Sequence, residues 1–408
     1  MSLKQRMYPT EEQQALMVMH AEHARFVYNL GLEQRSMWTK DKRHFRQKIS
    51  VYTQCRELTE LRRELDWLRA GSAVIQQVAL RDLDQAFKNF FAGRSRFPRF
   101  RSARDPKSGF AIRNLALRRI NHKWAQILVP KIGWVKFRLT YHYQDAQQGS
   151  SARAVHHNGL WHVSISTPPR QKVPADTGAN VGIDVGVANT VATSVGIFIQ
   201  APSFTPGEQR RFLALQRTLA RQKKGSNRHA RTLAKLASLR RTLNDRRTNW
   251  VEQTTTALAR TYDLAAVEDL KIVNMTRRPA PRPDLDTPGS FLPNNARAKA
   301  GLNRAILASC WGQFTTRLAQ KMDVVRVDPR NTSRRCQSCK NVNALSRESQ
   351  AVFACIECGY RAHADTNAAQ NILDRALTTN PGTPGARTQK PRQRAASTNP
   401  LPTVQTVG

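Results

Sequence analysis

Acidic residues are scarce in this sequence: 29 Asp and Glu stand against 66 Lys and Arg, for a formal charge of +37 and an isoelectric point near 11.2. An excess of that size rules out an ordinary solvated surface, which mixes both signs. Self-repulsion over a chain of 408 residues calls for a polyanion, and nucleic acid is the natural one, bound in a strongly salt-dependent way. Long apolar runs are missing too. None approaches the roughly 20 residues of a membrane-spanning helix, and no lipidation signal is present. The opening MSLKQRMYPTEEQQ lacks the apolar core of a signal peptide, so a cytosolic chain is expected. Cysteines are few. Four of the six form two C-x-x-C pairs, while Cys55 and Cys310 stand alone and read as small buried hydrophobes. In a reducing cytosol the paired four read as metal ligands rather than disulfides.

The length allows two or three domains, and 40% hydrophobic residues can fill their cores. After a short strand-like start, Thr10 caps a helix, with Gln13 reaching back as a capping box. Leu16, Met17, Met19, Ala24, Val27 and Leu30 give that helix an apolar stripe, and helical patterning continues to about Phe91. From about Phe110 to Thr167 the period shortens toward two, predicting a small antiparallel barrel into which the preceding helices are inserted. Residues 168–179 read as a linker. The β-branched run Val181 to Val195 is followed by helical sequence from about Glu208 to Tyr262, broken at Lys224-Gly225-Ser226 into a hairpin. Leu233, Leu236, Leu239 and Leu243 mark its buried side, while 13 Lys or Arg and 2 acids between Glu208 and Trp250 make the rest basic. A strand at Leu264–Val267 follows. The Pro- and Arg-rich stretch from Met275 to Pro293 reads as a mobile loop or an ordered lid. One helix over about Lys299 to Lys321 and a strand at Val324–Val327 come next. Residues 377–408, rich in Thr, Pro, Arg and Gln, are expected to be disordered.

Three acids sit at the ends of apolar segments: Asp184 in VGIDVGVANT, Glu268 in LAAVEDL and Asp365 in AHADTNAAQNI. Gly182 and Gly186 around the first permit close approach of another backbone, and Ala368 and Ala369 after the third allow close packing. Taken singly, Asp184 suits a turn, Glu268 a salt bridge and Asp365 a helix cap. Taken together, a carboxylate cluster needs cations to offset its repulsion. Hard Mg²⁺ or Mn²⁺ suits such oxygen ligands, and two ions about 3.5–4 Å apart support phosphodiester hydrolysis. Cys336, Cys339, Cys355 and Cys358 form C-x2-C-x15-C-x2-C, the spacing of one structural Zn²⁺ site with no open position. His363 lies near but is not needed as a ligand. On the hairpin, Arg217, Arg221, Lys223, Lys224, Arg228 and Arg231 are candidate phosphate contacts, which position nucleic acid without specifying sequence. No zinc-finger array or dedicated helix-turn-helix reader is evident.

The order of these features resembles the split RuvC domain of TnpB proteins and type V CRISPR effectors. GIDVGVANTVA, RQKKGSNRHARTLAKL, VEDLKIVNM, VDPRNTSRRCQSC and DTNAAQNIL carry the resemblance, which covers roughly residues 1–375 and is strongest after 180. It implies a multidomain α+β and α/β chain. A β-barrel wedge would comprise 1–10 and 108–170, with a helical recognition lobe at 11–107 inserted. A split RNase H-like RuvC domain would comprise 180–329 and 363–376, with a zinc ribbon at 330–362 that loads the target strand. Asp184, Glu268 and Asp365 would then be the catalytic, magnesium-binding residues of an RNA-guided DNA endonuclease. A guide RNA from the transposon end would select double-stranded DNA beside a short flanking motif. One chain with one RNA would suffice. Lys340 stands where relatives carry glycine, which predicts a less regular first zinc knuckle. Phe26, Tyr28, Phe97 and Arg99 fall in segments that hold RNA and read the flanking motif in relatives, yet the aromatics among them read mostly as core. Alternatives are a compact CRISPR effector, a non-cleaving repressor and a strand-transferring transposase.

Overall fold

A computed structural model describes residues 2–379 except 41–48, 104, 106, 141–142, 158, 169–171, 285 and 288. The chain divides into two compact units, 1–169 and 170–408. In the first, strand β1 (Ser2–Tyr8) alternates buried Leu3, Gln5 and Met7 with exposed neighbours. Helices α1 (Glu11–Lys40), α2 (Val51–Glu64), α3 (Asp66–Ala70) and α4 (Ala73–Phe91) follow. Then come β2 (Lys107–Ile112), β3 (Leu117–Arg119), β4 (Trp124–Val129), β5 (Gly133–Arg138), α5 (Tyr143–Gln147), β6 (Ser151–His157) and β7 (Leu160–Ser166). These strands form one antiparallel sheet in the order β2-β6-β7-β1-β5-β4-β3. β1 divides its length between β7, through Ser2–Arg6, and β5, through Met7 and Tyr8. The four helices are therefore inserted between two members of one sheet. The expected closed barrel is not formed among the described residues: edge strands β2 and β3 do not pair, and β3 is only three residues long.

The Thr10 and Gln13 capping box is present, with reciprocal bonds of 3.2 Å. The stripe of α1 differs from the apolar pattern. Leu16 is exposed, whereas His20 and His23 are buried with Met17, Ala21, Ala24 and Val27. Hydrogen bonding makes this possible: His20 Nδ1 lies 2.7 Å from the Leu16 carbonyl, and the Gln76 amide meets His23 Nδ1 at 3.3 Å. Tyr28 is core as expected. Phe26 and Phe97 are exposed, although Phe26 meets Trp67 edge-on and Phe97 meets Phe87 and Phe90.

The second unit contains β8 (Asn180–Asp184), β9 (Val191–Thr193), β10 (Phe198–Ile199), α6 (Pro206–Arg221), α7 (Asn227–Thr261), β11 (Leu264–Glu268) and α8 (Ile272–Met275). It continues with β12 (Arg282–Pro283), β13 (Phe291–Leu292), α9 (Ala296–Ala308), α10 (Trp311–Lys321), β14 (Asp323–Val327), β15 (Val352–Ala354), β16 (Arg361–His363) and α11 (Ala364–Thr379). The five-stranded sheet runs β10-β9-β8-β11-β14, with β8, β11 and β14 parallel. Strand parity divides its faces. Val181, Ile183, Ala265 and Val267 join Trp250, Val251, Leu258, Phe314 and Leu318 from α7 and α10. Ala266 and Val327 meet Ile372 and Ala376 of α11 on the other face.

Gly182 allows that second layer to seat. A Cβ there would lie 1.9 Å from the Ala369 carbonyl oxygen. Gly182→Ala is expected to lower stability by about 1–3 kcal/mol or more, because backbone rather than a flexible side chain must move. Thermal melting checks this; an unchanged midpoint would show that α11 does not press on β8.

Several expectations need correction. The single helix over Lys299 to Lys321 is two, because Cys310 takes a left-handed conformation (φ +61°) between α9 and α10. Leu233 is half exposed and Thr232 is buried instead, so the α7 stripe is Thr232, Leu236, Leu243 and Trp250. Between Met275 and Pro293 the chain forms a small hairpin, β12 with β13. Residues 377–379 continue α11, and 380–408 lie outside the described residues. The α6–α7 break falls where predicted: Gly225 has φ +86° and Ser226 caps α7 by accepting from the His229 N–H at 3.2 Å.

Candidate active site and cysteine centre

Strand parity also orients the acids. Asp184 and Glu268 end the neighbouring parallel strands β8 and β11, each one residue past the paired Ile183 and Val267. Both share parity with Gly182 and Ala266, the residues facing α11, and Asp365 lies in the first turn of that helix. Three distant sequence positions are thus brought to one edge of the sheet. Buried surroundings push the Asp184 pKa up to about 7, with the charges of Glu268 and Asp365 adding to the effect against Arg347 and the Val185 N–H. Burial likewise raises Glu268, opposed by the Thr332 hydroxyl and Arg375.

The neighbours of the acids are polar residues whose importance is not evident in the sequence. Asn189 Nδ2 donates to Asp365 Oδ2 at 2.8 Å, and its own Oδ1 accepts from Gln200 at 3.1 Å. Thr332 donates to Glu268. Arg347 approaches Asp365 Oδ1 at 3.5 Å. Trp311 Nε1 donates to the Gly186 carbonyl at 3.2 Å, fastening the turn after Asp184. Asn189 lies within VGIDVGVANT, but nothing in its spacing indicates a bond to a residue 176 positions away. As oxygen-only donors that crowd and repel one another, the three acids fit a hard divalent cation.

Among the described residues the four cysteines form a group of possible metal ligands whose sulfurs all lie within 4.8 Å of one another. Cys336 and Cys358 sulfurs are 3.7 Å apart, and those of Cys339 and Cys355 are 3.6 Å apart. Zn–S bonds of about 2.3 Å in a tetrahedron require edges of about 3.8 Å, so the set fits zinc. The two knuckles match. Lys340 (φ +66°) and Gly359 (φ +70°) each donate N–H to the carbonyl of the first cysteine of their pair at 3.0 Å. The irregular first knuckle expected from Lys340 is therefore absent. Its Nζ bonds Asp374 at 3.1 Å, helping to hold the strained residue in place.

Buried amides join this cysteine module to α11. Asn367 accepts from the Gln337 N–H at 2.9 Å and donates to the Arg335 carbonyl at 2.8 Å. Asn371 donates to the carbonyls of Thr332 and Arg335. His363 accepts from the Asp365 N–H at 3.2 Å, so it supports the helix start and is not one of the clustered ligands. The lone Cys55 and Cys310 are half-buried, and burial raises both thiols, consistent with unreactive side chains.

On the hairpin, Arg217, Arg221, Lys223, Lys224, Arg228 and Arg231 are all exposed, and none forms an ion pair among the described residues. The hairpin is braced at its base, where Glu208 pairs with Arg246 at 2.6 Å. Its tip is left as a bare positive surface.

The acids thus lie at the ends of parallel strands in a mixed sheet, and a four-cysteine module leads into the helix that bears the third of them. Residues 162–278 match the OrfB_IS605 family model, described as "Probable transposase", and 311–372 match "Cas12f1-like, TNB domain". InsQ of Escherichia coli (strain K12), named as an RNA-guided DNA endonuclease, is 32% identical over 316 residues, 76% of each chain. A similarly named protein of Streptomyces pristinaespiralis is 28% identical over 96% of this chain and 93% of its own. The fold is similar to that of Cas12f1 in a cryo-EM structure with sgRNA and target DNA. The TM-score is 0.50 at 14% identity, over 89% of this chain and 83% of that one. The chain belongs to the TnpB (OrfB) family that includes InsQ. Residues 1–43 also match a model described as "Helix-turn-helix domain", yet their described part is strand β1 and the single helix α1. No described helix is long and apolar enough to cross a membrane.

Proposed function

We propose that this chain is an RNA-guided endonuclease that hydrolyses DNA phosphodiesters at Asp184, Glu268 and Asp365. The observation that carries the reading is the convergence of these acids, from three elements, at the edge of the β8–β11 sheet. Magnesium or manganese ions held by these carboxylates would supply a nucleophilic water and stabilise the leaving oxygen. The chain's own contribution is positional. Asn189 and Arg347 hold Asp365, Thr332 holds Glu268, and α11 seated on Gly182 sets the spacing between them. Zinc on the four cysteines would order the ribbon that carries Arg347. The bare hairpin tip would lie along phosphates without reading sequence.

Guide RNA and double-stranded target DNA are the proposed partners, in a complex with one protein chain. The names of the relatives and the charge of +37 support this reading. We assign 1–10 and 108–170 to a wedge, 11–107 to a recognition lobe, 180–329 with 363–376 to the nuclease domain and 330–362 to the ribbon. The match to the Cas12f1-like domain also favours a compact CRISPR effector as a second reading, distinguished by a neighbouring CRISPR array rather than transposon ends. Sequencing the RNA that copurifies with the chain tests guidance. One abundant species ending in a variable segment is expected, and reprogramming that segment should redirect cleavage. Random cellular RNA would sink the proposal.

A further inference from the structure

In the first unit, α1, the segment after α4, and strands β2 and β6 surround a cavity of about 290 Å³. Arg25, Arg101, Ser102, Asp105, Ser108 and Arg153 contribute to its lining. Three arginines from three separate elements are among the residues that line it. Arg101 is positioned before any ligand arrives: its N–H donates to Asn29 Oδ1 at 2.8 Å and its carbonyl accepts from Asn29 Nδ2 at 2.9 Å. Its guanidinium lies 3.6 Å from the centre of the Tyr28 ring. Asp82 of α4 holds Arg153 at 2.8 Å and approaches Arg101 at 3.6 Å. A guanidinium has five donors, so one shared carboxylate leaves capacity on both. Arg25 is half-buried and has no ion pair or hydrogen-bond partner among the described residues. The half-buried Ser108 hydroxyl is similarly uncommitted.

A half-buried guanidinium loses hydration, and that loss is offset when an anion binds it in bidentate fashion. Arg101 and Arg153 share the Asp82 carboxylate, and Arg25 brings a further positive charge to the same lining, which suits an anion such as a phosphodiester. We propose that this cavity receives one phosphodiester of bound nucleic acid, with Arg25 as the main donor and Ser108 as a second. The site is separate from the carboxylates and the hairpin, and it rests on the nucleic-acid reading above. RNA and DNA share this chemistry, so the test must distinguish them.

The full chain and its Arg25→Ala and Arg25→Lys variants would be titrated with three probes: a 20-nucleotide oligo-U, a 20-nucleotide oligo-dT and a mixed-sequence 20-bp DNA duplex. Each would be measured over a range of salt concentrations, below the melting transition of every variant. Each phosphate contact contributes about 0.7 to the log–log salt slope for single strands and about 0.9 for duplex. Arg25→Ala is expected to remove about one contact's slope and weaken binding ~3–10-fold for at least one probe, which identifies the strand class. Arg25→Lys should recover the slope. An unchanged slope with all three probes overturns the proposal, as does a deficit that lysine fails to restore. If the unmodified chain binds none of the probes, the nucleic-acid reading itself fails.

Discussion

Asp184→Asn is expected to abolish guided DNA cleavage and, in magnesium-free buffer at pH 8, to make the chain more stable. The substitution keeps the shape and removes a charge held against its surroundings. Burial and two neighbouring acids raise the pKa of the Asp184 carboxyl to about 7, against about 3.9 for an unfolded aspartate. Between those values the folded chain holds a proton that the unfolded chain has released. The stability from this group is therefore full below about pH 4 and lost as pH rises through 7. A tenfold difference in proton affinity between folded and unfolded chain is worth about 1.4 kcal/mol, so Asp184→Asn should gain about 1–3 kcal/mol at pH 8 relative to pH 5. Melting curves at the two pH values, with zinc retained, measure this. Cleavage should fall by at least ~10²–10³-fold, the scale of losing a main electrostatic contributor. Wild-type cleavage by the variant would remove Asp184 from the catalytic set. Equal stability increments at both pH values would contradict the charge crowding.

Cys355→Ser is expected to release the zinc and to stop cleavage through a chain of contacts rather than by touching the carboxylates. The hydrophobic cluster of the ribbon is Cys336, Phe353 and Cys355, joined by Ala364 at the start of α11, so two of its four members are proposed ligands. Val342, Leu345, Val352 and Ile356 remain exposed and contribute little to holding it together. Zinc binding is worth about 10–16 kcal/mol in small zinc-finger peptides, far more than such a core supplies. Without it, the segment between the two cysteine pairs loses its frame, and Arg347, 3.5 Å from Asp365, lies in that segment. Asp365 also lies only two residues past the end of β16, which pairs with β15. Zinc content per chain and cleavage rate should fall together, while melting of the first unit stays unchanged. One zinc retained at full activity would refute the four-thiolate assignment.

Much of the second unit was legible in the sequence because its signals are local. The hairpin break needs a residue at positive φ, and Gly225 supplies it; in the first unit, Thr10 and its capping partner Gln13 lie only three positions apart. Errors arose where a polar side chain replaced an apolar one in the core. His20, His23 and Thr232 are buried through hydrogen bonds that a hydrophobic pattern does not register. Cys310 interrupted a continuous helical pattern by a backbone conformation that its side chain does not announce. Lys340 shows the converse: a residue disfavoured in the left-handed region occupies it with the same turn bond as glycine.

The sequence by itself determined the excess positive charge, the spacing of the four cysteines and the presence of three acids at the ends of apolar segments. Composition and short-range spacing are sufficient for those. The tertiary structure decided which atoms meet. Parallel pairing of β8 with β11 and the seating of α11 against Gly182 bring Asp184, Glu268 and Asp365 to one edge, although long stretches of chain separate them. Asn189, Thr332 and Arg347 acquire roles only there, since each acts through a hydrogen bond or ion pair to an acid from a different element. The same holds for Arg25, Arg101 and Arg153, which are ordinary basic residues in sequence and become one cavity wall only when helix, loop and strand pack together.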